Sequence, residues 1–421
     1  MQLQTWAATD IGQTRKVNED SYLLAPDLGL VAVADGMGGF QRGDVASGLA
    51  VNVLKETVVA HRELLELFRR SPTDANRGSV RAMLEMAFQR ACEEIHEASQ
   101  AIAGEGGRMG TTLDVLLVVG TSAFIAHVGD SRIYLLRGGE AHQLTEDHSL
   151  VQQQLREGII TPEEAKKARF KNVITRALGA FPSVLVDSLT FELDRGDKLI
   201  LCTDGLHRYV GHRELAFLLG NHGDDAVSRM VDMANQRGGR DNITAVVASA
   251  DSFASEEFVP PVRAHMEVLR RVDLFQFCTY RELMSVCQVA QQRQVTQGTV
   301  LFREGDIGRE CFVIQSGTVS IQKNNTQLAV LRPADYFGEM SFFDMPRRSA
   351  DAVALEDATF LIIDRNNLLQ LMKQDSDLAA KLMWQLLQKL SRLVRSSNDR
   401  IVAETITLDD LEPLVDDPAR D

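Results

Sequence analysis

The chain has 421 residues, too many for one ordinary domain and suited to two or three. It is 44% hydrophobic and 25% charged, an ordinary globular composition, and no run approaches the roughly 18 consecutive apolar residues that a membrane-spanning helix needs. The net charge of −14 argues against broad electrostatic binding of nucleic acid, and five scattered cysteines with no Cys-x-x-Cys pair argue against a disulfide framework or a thiolate zinc site.

Met1 to Trp6 lack a basic segment followed by an apolar core, so no secretory signal is expected and the cytoplasm is the expected compartment. In chain order, Leu30 to Ala34, Leu113 to Val119, Ala123 to Val128 and Lys198 to Thr203 are short apolar runs bounded by Gly, Asp or Ser, and predict strands. Residues 44–69 and 78–103 carry apolar positions three and four apart, which predicts helices. Strands meeting helices in this order predict a layered α+β domain over 1–251. The apolar run Thr244 to Ala248 ends in a polar stretch reaching Pro260-Pro261, which predicts a linker over 252–263.

Beyond it, residues 299–302, 311–314, 318–321 and 328–331 are short strand patterns separated by turns such as Glu304-Gly305-Asp306 and Asn324-Asn325. They predict a small barrel or roll within 264–395, followed by a helix over 377–394. Leu378, Leu382, Leu386, Leu390 and Leu393 are expected to line one face of that helix. Such a stripe most often seals the roll or its neighbour, and it can also form a helix-to-helix homodimer seam. Residues 1–251 carry a net −8, residues 252–395 are neutral, and residues 396–421 carry −6 and are expected to be a disordered tail. A tail so acidic predicts no DNA-reading element.

Chemistry concentrates in five clusters: Arg15-Lys16-Val17-Asn18-Glu19-Asp20, Asp35-Gly36-Met37-Gly38-Gly39, Gly129-Asp130-Ser131-Arg132, Thr203-Asp204-Gly205 and Arg240-Asp241-Asn242. Several place an Asp just after an apolar strand. One Asp-Gly after a strand is usually only a turn. Five such clusters are hard to explain as turns, and convergent carboxylates suit hard divalent cations such as Mg²⁺ or Mn²⁺. With Asp10-Ile11-Gly12, Gly110-Thr111-Thr112 and Asp241-Asn242-Ile243-Thr244, they make residues 1–251 resemble the metal-dependent Ser/Thr phosphatases of the protein phosphatase 2C family, bacterial type.

That resemblance implies a sandwich of two antiparallel sheets flanked by helices, and two-metal hydrolysis of phosphoserine and phosphothreonine without a phosphoenzyme. Asp35 would bridge two ions, with the Gly36 carbonyl on one and Asp204 and Asp241 on the other. Glu19 and Asp20 would hold metal-bound waters, Arg15 would grip the substrate phosphate, and Asp130 with Asp204 would form a third site. His148 to Gly179, including Asn172 to Gly179, resembles the family's flap beside the site. Met37 stands where eukaryotic members carry a His, and Phe40 where many bacterial members do, so the general acid is unassigned. Phosphoproteins, among them a Ser/Thr kinase, are the implied partners.

In the second domain, Phe337-Gly338-Glu339-Met340-Ser341-Phe342-Phe343 precedes Pro346-Arg347-Arg348-Ser349-Ala350. A glycine, a carboxylate and an arginine nine residues later can enclose a sugar phosphate, although such a Glu and Arg are more often a surface ion pair. With Val272 to Phe275, Gly298 to Asp306 and Phe312 to Val319, residues 265–395 resemble a cyclic nucleotide-binding domain, which has a β-roll with C-terminal helices. The resemblance implies cAMP or cGMP as regulatory ligand, with Glu339 on the ribose 2′-hydroxyl, Arg348 on the phosphate, and Gly338, Ser349 and Ala350 completing the cradle. Arg347 is one residue short of the usual spacing, and Asp351 is a departure that would weaken a phosphate. The alternative to a regulated phosphatase is a catalytically silent adaptor that binds phosphoprotein or nucleotide.

Overall fold

The computed structural model describes residues 3–38, 42–102, 109–168, 170, 173–250, 262–324, 326–342 and 347–409. Gly39, Phe40, Asn172, Phe343 and Pro346 lie outside them, as do residues 252–261 of the expected linker and 410–421 of the expected tail. The chain divides into two compact units, 1–263 and 264–421.

The first unit runs β1 (Gln4–Asp10), β2 (Asp20–Ala25), β3 (Leu30–Gly38), α1 (Gly43–Ala60), α2 (Arg62–Arg70), α3 (Asp74–Ile102), β4 (Met109–Thr111), β5 (Leu113–Val119), β6 (Ser122–Val128), β7 (Arg132–Arg137) and β8 (Glu140–Gln143). It continues with α4 (Leu150–Arg156), α5 (Pro162–Lys167), β9 (Asp187–Glu192), β10 (Lys198–Cys202), α6 (Asp204–His207), α7 (His212–Asn221), α8 (Ala226–Gln236) and β11 (Ile243–Ser249). One antiparallel sheet has the order β1-β11-β10-β7-β8 and the other β2-β3-β5-β6-β9, with β4 beside β3. This is the α+β sandwich expected from the resemblance.

β5 and β6 are buried at every position, because their sheet is covered on both faces. Leu30, Leu113, Val115 and Phe124 pack with Leu54, Phe88 and Ile95 of α1 and α3. On the other sheet, Tyr134, Ile200 and Val247 pack with Leu215 and Met230 of α7 and α8. The single helix expected over 44–69 is two, divided at His61 (φ −107°, ψ 24°), whose Nδ1 lies 2.8 Å from the Thr57 carbonyl oxygen. Neither Gly nor Pro marks that break, so apolar spacing alone reads through it.

The second unit contains α9 (Val262–Leu269), α10 (Tyr280–Val289), β12 (Ala290–Val295), β13 (Val300–Phe302), β14 (Glu310–Ser316), β15 (Val319–Lys323), β16 (Thr326–Leu331), β17 (Tyr336–Phe337), β18 (Asp351–Ala354), β19 (Ala358–Asp364), α11 (Arg365–Gln374) and α12 (Ser376–Asp409). Its strands form two four-stranded antiparallel sheets, β12-β19-β14-β17 and β13-β18-β15-β16, closed over Phe312, Val319, Phe337 and Phe360.

α12 departs from expectation twice. It continues to Asp409, into the segment expected to be disordered. Its leucines also do not share one face: Leu378, Leu382 and Leu386 are buried, whereas Leu390 is 47% exposed. A strict four-residue spacing precesses by about 40° per step on a helix of 3.6 residues per turn, so Leu390 has rotated out of the seam. Met383, Trp384, Leu387 and Val394 are exposed beside it.

Candidate active site

Asp20 and Asp35 face each other in the β2–β3 ladder. The backbone at Asp35 is fixed on both sides, since its N–H donates to Thr112 Oγ1 (2.9 Å) and its carbonyl accepts from Thr111 Oγ1 (2.9 Å) and the Thr112 N–H (3.0 Å). Thr112 Oγ1 lies 2.8 Å from Ser131 Oγ, linking this strand end to the turn that carries Asp130. Gly36 sits so close to the Glu19 and Gly43 carbonyls that a Cβ would overlap both, which requires glycine there.

Asn242 ties the N-terminal cluster to β11. Its amide donates to the carbonyls of Ile11 and Val17, both at 3.0 Å, and its Oδ1 accepts from the Glu19 N–H at 2.9 Å. Glu19 Oε1 accepts from the Gly43 N–H (3.0 Å), and Thr203 Oγ1 donates to Asp20 Oδ2 (2.9 Å). Asp204 opens α6 and pairs with Arg208, while Asp241 pairs with Arg15 at 2.8 Å. Arg15 is therefore engaged by a carboxylate, with about half of its side chain exposed. Arg208 went unnoticed in the sequence, although its spacing of four from Asp204 was the available signal.

Burial and mutual repulsion push Asp20, Asp35, Asp130 and Asp204 upward. Asp35 is held well above the usual carboxylate range, by desolvation first and then by Asp20, Asp204 and Asp130. Desolvation raises Asp20 and Asp130 to about 7, with Asp204 repelling both. Asp204 reaches about 6, where Arg208 offsets part of the burial effect. Asp130 Oδ1 and Asp204 Oδ1 are buried without a hydrogen-bond partner. Buried unpaired acceptors and crowded carboxylates fit a hard divalent cation. The set is gathered but not closed: among the described residues, no three Asp, Glu, His or Cys groups already surround one point.

Residues 13–248 match the family model for protein phosphatase 2C. The chain belongs to the protein phosphatase 2C family. It is 37% identical over 258 residues to protein phosphatase PhpP of Streptococcus pneumoniae, an alignment covering 59% of this chain and 98% of that one. It is 36% identical to serine/threonine phosphatase stp of Listeria monocytogenes, over 58% of this chain and 94% of the relative. The serine/threonine phosphatase PstP/Ppp of Mycobacterium tuberculosis aligns with a TM-score of 0.52 and 35% identity, covering 59% of this chain and 99% of that structure. The first unit of this protein phosphatase 2C member is thus a Ser/Thr protein phosphatase, a hydrolase.

The phosphatase carries a second candidate site in its roll. Arg348 is 5% exposed and lies over the Phe302 ring, 4.0 Å from its centroid. Its Nη1 donates to the carbonyls of Glu310 (2.9 Å) and Gly338 (3.1 Å). Burial lowers its pKa, while Glu310 raises it. With Leu301, Asp306, Gly308 and Glu310 it lines a groove of about 570 Å³. Arg347 is exposed and donates to the Gly305 carbonyl at 3.1 Å. Ser349 is exposed and Ala350 buried. Asp351 Oδ1 accepts from the Glu304 N–H at 2.6 Å, so this departure from the expected motif caps the preceding turn.

Glu339 does not line that groove. Its Oε1 pairs with Lys389 Nζ of α12 at 2.7 Å, and the same ammonium lies 3.7 Å from the Tyr336 ring centroid. Fifty residues separate the two charges in sequence, so no local pattern signals the pair. Residues 292–375 match the family model for the cyclic nucleotide-binding domain.

Proposed function

We propose that the phosphatase works with two divalent cations, Mn²⁺ or Mg²⁺, at the carboxylate cluster, and that a cyclic nucleotide bound to the roll regulates it. The observation carrying the first part is the buried, unpartnered oxygen on both Asp130 and Asp204, within a set of carboxyls raised first by burial and then by mutual repulsion. Asp35, the Gly36 carbonyl, Asp204 and Asp241 would hold the two ions, with Glu19 and Asp20 around their waters and Asp130 at a third position. Bound cations supply charge neutralisation at phosphorus and an acidic water.

The chain's own groups do the rest. Arg15 offers a planar fork for the phosphate of a phosphoserine or phosphothreonine protein, and its exposure leaves it within reach of an incoming substrate. Asn242 and Thr112 keep Glu19 and Asp35 in register as charge changes. Intact carboxylates at every matched position favour turnover over the silent adaptor. Excess chelator is expected to abolish hydrolysis of p-nitrophenyl phosphate, and added Mn²⁺ or Mg²⁺ to restore it. Full activity in chelator would remove the metal reading.

For the roll, support comes from Arg348, a buried guanidinium facing a groove of suitable chemistry for a cyclic phosphate. Glu339 would meet a ribose hydroxyl in competition with its pair to Lys389. Lys389→Ala removes that competitor, so cAMP or cGMP should bind about two- to fivefold more tightly, the scale of a partly exposed ion pair. Calorimetry on the full chain measures it, and weaker binding would mean that Lys389 contacts the ligand instead. No helix among the described residues is long and apolar enough to cross a membrane. The substrates would be phosphoproteins of the cytoplasm, a Ser/Thr kinase among them. The exposed side of α12 around Trp384 and Leu387, rather than the expected leucine seam, would serve a homodimer.

A further inference from the structure

The turn Val128-Gly129-Asp130-Ser131 carries the carboxylate with the unpartnered oxygen, and His148 grips that turn twice. The His148 backbone N–H donates to the Gly129 carbonyl at 2.7 Å, and the Gly129 N–H donates to His148 Nδ1 at 3.1 Å. Both polar backbone groups of Gly129 are thus satisfied by one residue. Gly129 has φ +123°, and a Cβ there would overlap Thr112, so the turn is pressed between Thr112 and His148. On its far side the Asp130 carbonyl accepts from His207 Nε2 at 2.9 Å. No hydrogen bond among the described residues reaches the Asp130 carboxylate oxygen Oδ1.

The other half of His148 faces the flap. Its carbonyl accepts from the Thr175 N–H at 2.7 Å, and its neighbour Ser149 bridges Ile174. Its Nε2 lies 3.1 Å from Arg176 Nη1 and 3.4 Å from Asp187 Oδ2. Arg176 donates to the other Asp187 oxygen at 2.8 Å. The ring, 7% exposed, therefore joins the turn bearing Asp130 to the base of the flap.

We propose that His148 is a positioning residue for a cation at Asp130, holding the carboxylate's turn through ring Nδ1 and tying it to the flap. The inference rests on the metal reading above. Outer groups that orient a ligand typically change metal affinity or activity about 10- to 100-fold when lost.

Two amide substitutions separate the ring nitrogens. In His148→Asn the side-chain oxygen falls near the place of Nδ1, whereas in His148→Gln it falls near Nε2. The test is Mn²⁺ titration of the full chain, read both as the rise in melting temperature and as bound Mn²⁺ at equilibrium dialysis. Wild type is expected to saturate with a component that Asp130→Asn removes. His148→Asn should keep that component within about twofold of the wild-type half-saturating Mn²⁺, and His148→Gln should shift it at least about tenfold. Equal behaviour of Asn and Gln, loss of folding in His148→Asn, or a lower melting temperature in His148→Gln with unchanged Mn²⁺ half-saturation would overturn the proposal. A wild-type chain that takes up no Mn²⁺ would instead overturn the metal reading on which it stands.

Discussion

Replacing Asp35 by Asn is expected to lower phosphopeptide hydrolysis by at least about a hundredfold while making the metal-free protein more resistant to heat. The loss of rate follows from removing the carboxylate that would bridge two cations, whose charge stabilisation is worth several kcal/mol, and each ~1.4 kcal/mol is tenfold in rate. The gain in stability follows from burial. Asp35 is held well above its usual range by desolvation and by four neighbouring carboxylates. A carboxyl whose folded pKa exceeds its unfolded value binds more protons in the folded state, so stability falls as pH rises between the two values.

For the wild type in chelator, the melting temperature should therefore decline from about pH 4, the unfolded carboxyl range, through about 7, where Asp20 and Asp130 are half-ionised, and beyond. The Asn variant should decline less and melt higher at pH 8. Saturating Mn²⁺ should reverse the order, because the ion neutralises the charge that otherwise repels. An Asn variant that melts lower than wild type in chelator at pH 8 would show that the carboxylate is satisfied without a cation.

The second large effect is expected at Arg348. Removing the charged partner of a partly buried phosphate costs roughly 2–5 kcal/mol, so Arg348→Ala should weaken cyclic nucleotide binding at least about tenfold. Arg347→Ala should do less, since Arg347 is exposed and bound to a turn carbonyl. Arg348 also supports the roll through the Glu310 and Gly338 carbonyls, so Arg348→Lys is the fairer comparison. It retains the charge but loses the planar fork, and should fall between wild type and Ala. Calorimetry with cAMP and cGMP distinguishes the three. Equal losses for Arg347→Ala and Arg348→Ala would place the phosphate one residue away from the proposed anchor.

The sequence made the phosphatase sandwich legible because its strands are short, apolar and interrupted by aspartates at their ends, as at Asp35 and Asp204. Those same positions are gathered in the folded chain. What could not be read is what the charges do when no ligand is near. The pairs Arg15 with Asp241 and Lys389 with Glu339 join residues distant in sequence, and neither follows from a local period. The division at His61 lacks a breaker residue, and the leucine repeat of α12 drifts around the helix instead of keeping to one face. His148 was legible only as the edge of a flap. Its grip on Gly129 is a contact between a ring nitrogen and a backbone amide, for which sequence carries no pattern.

In the proposed regulation, a nucleotide bound to the roll would change the rate of the phosphatase unit. A ligand shifts a neighbouring unit only when it prefers one arrangement over the other, and such coupling is typically about 1–3 kcal/mol. The most direct measurement is the rate of the intact protein on a phosphothreonine peptide at saturating Mn²⁺, with and without cAMP or cGMP. A change of at least about twofold, towards activation, is expected with one of the two nucleotides. Tight nucleotide binding with an unchanged rate would rule out nucleotide control of the phosphatase.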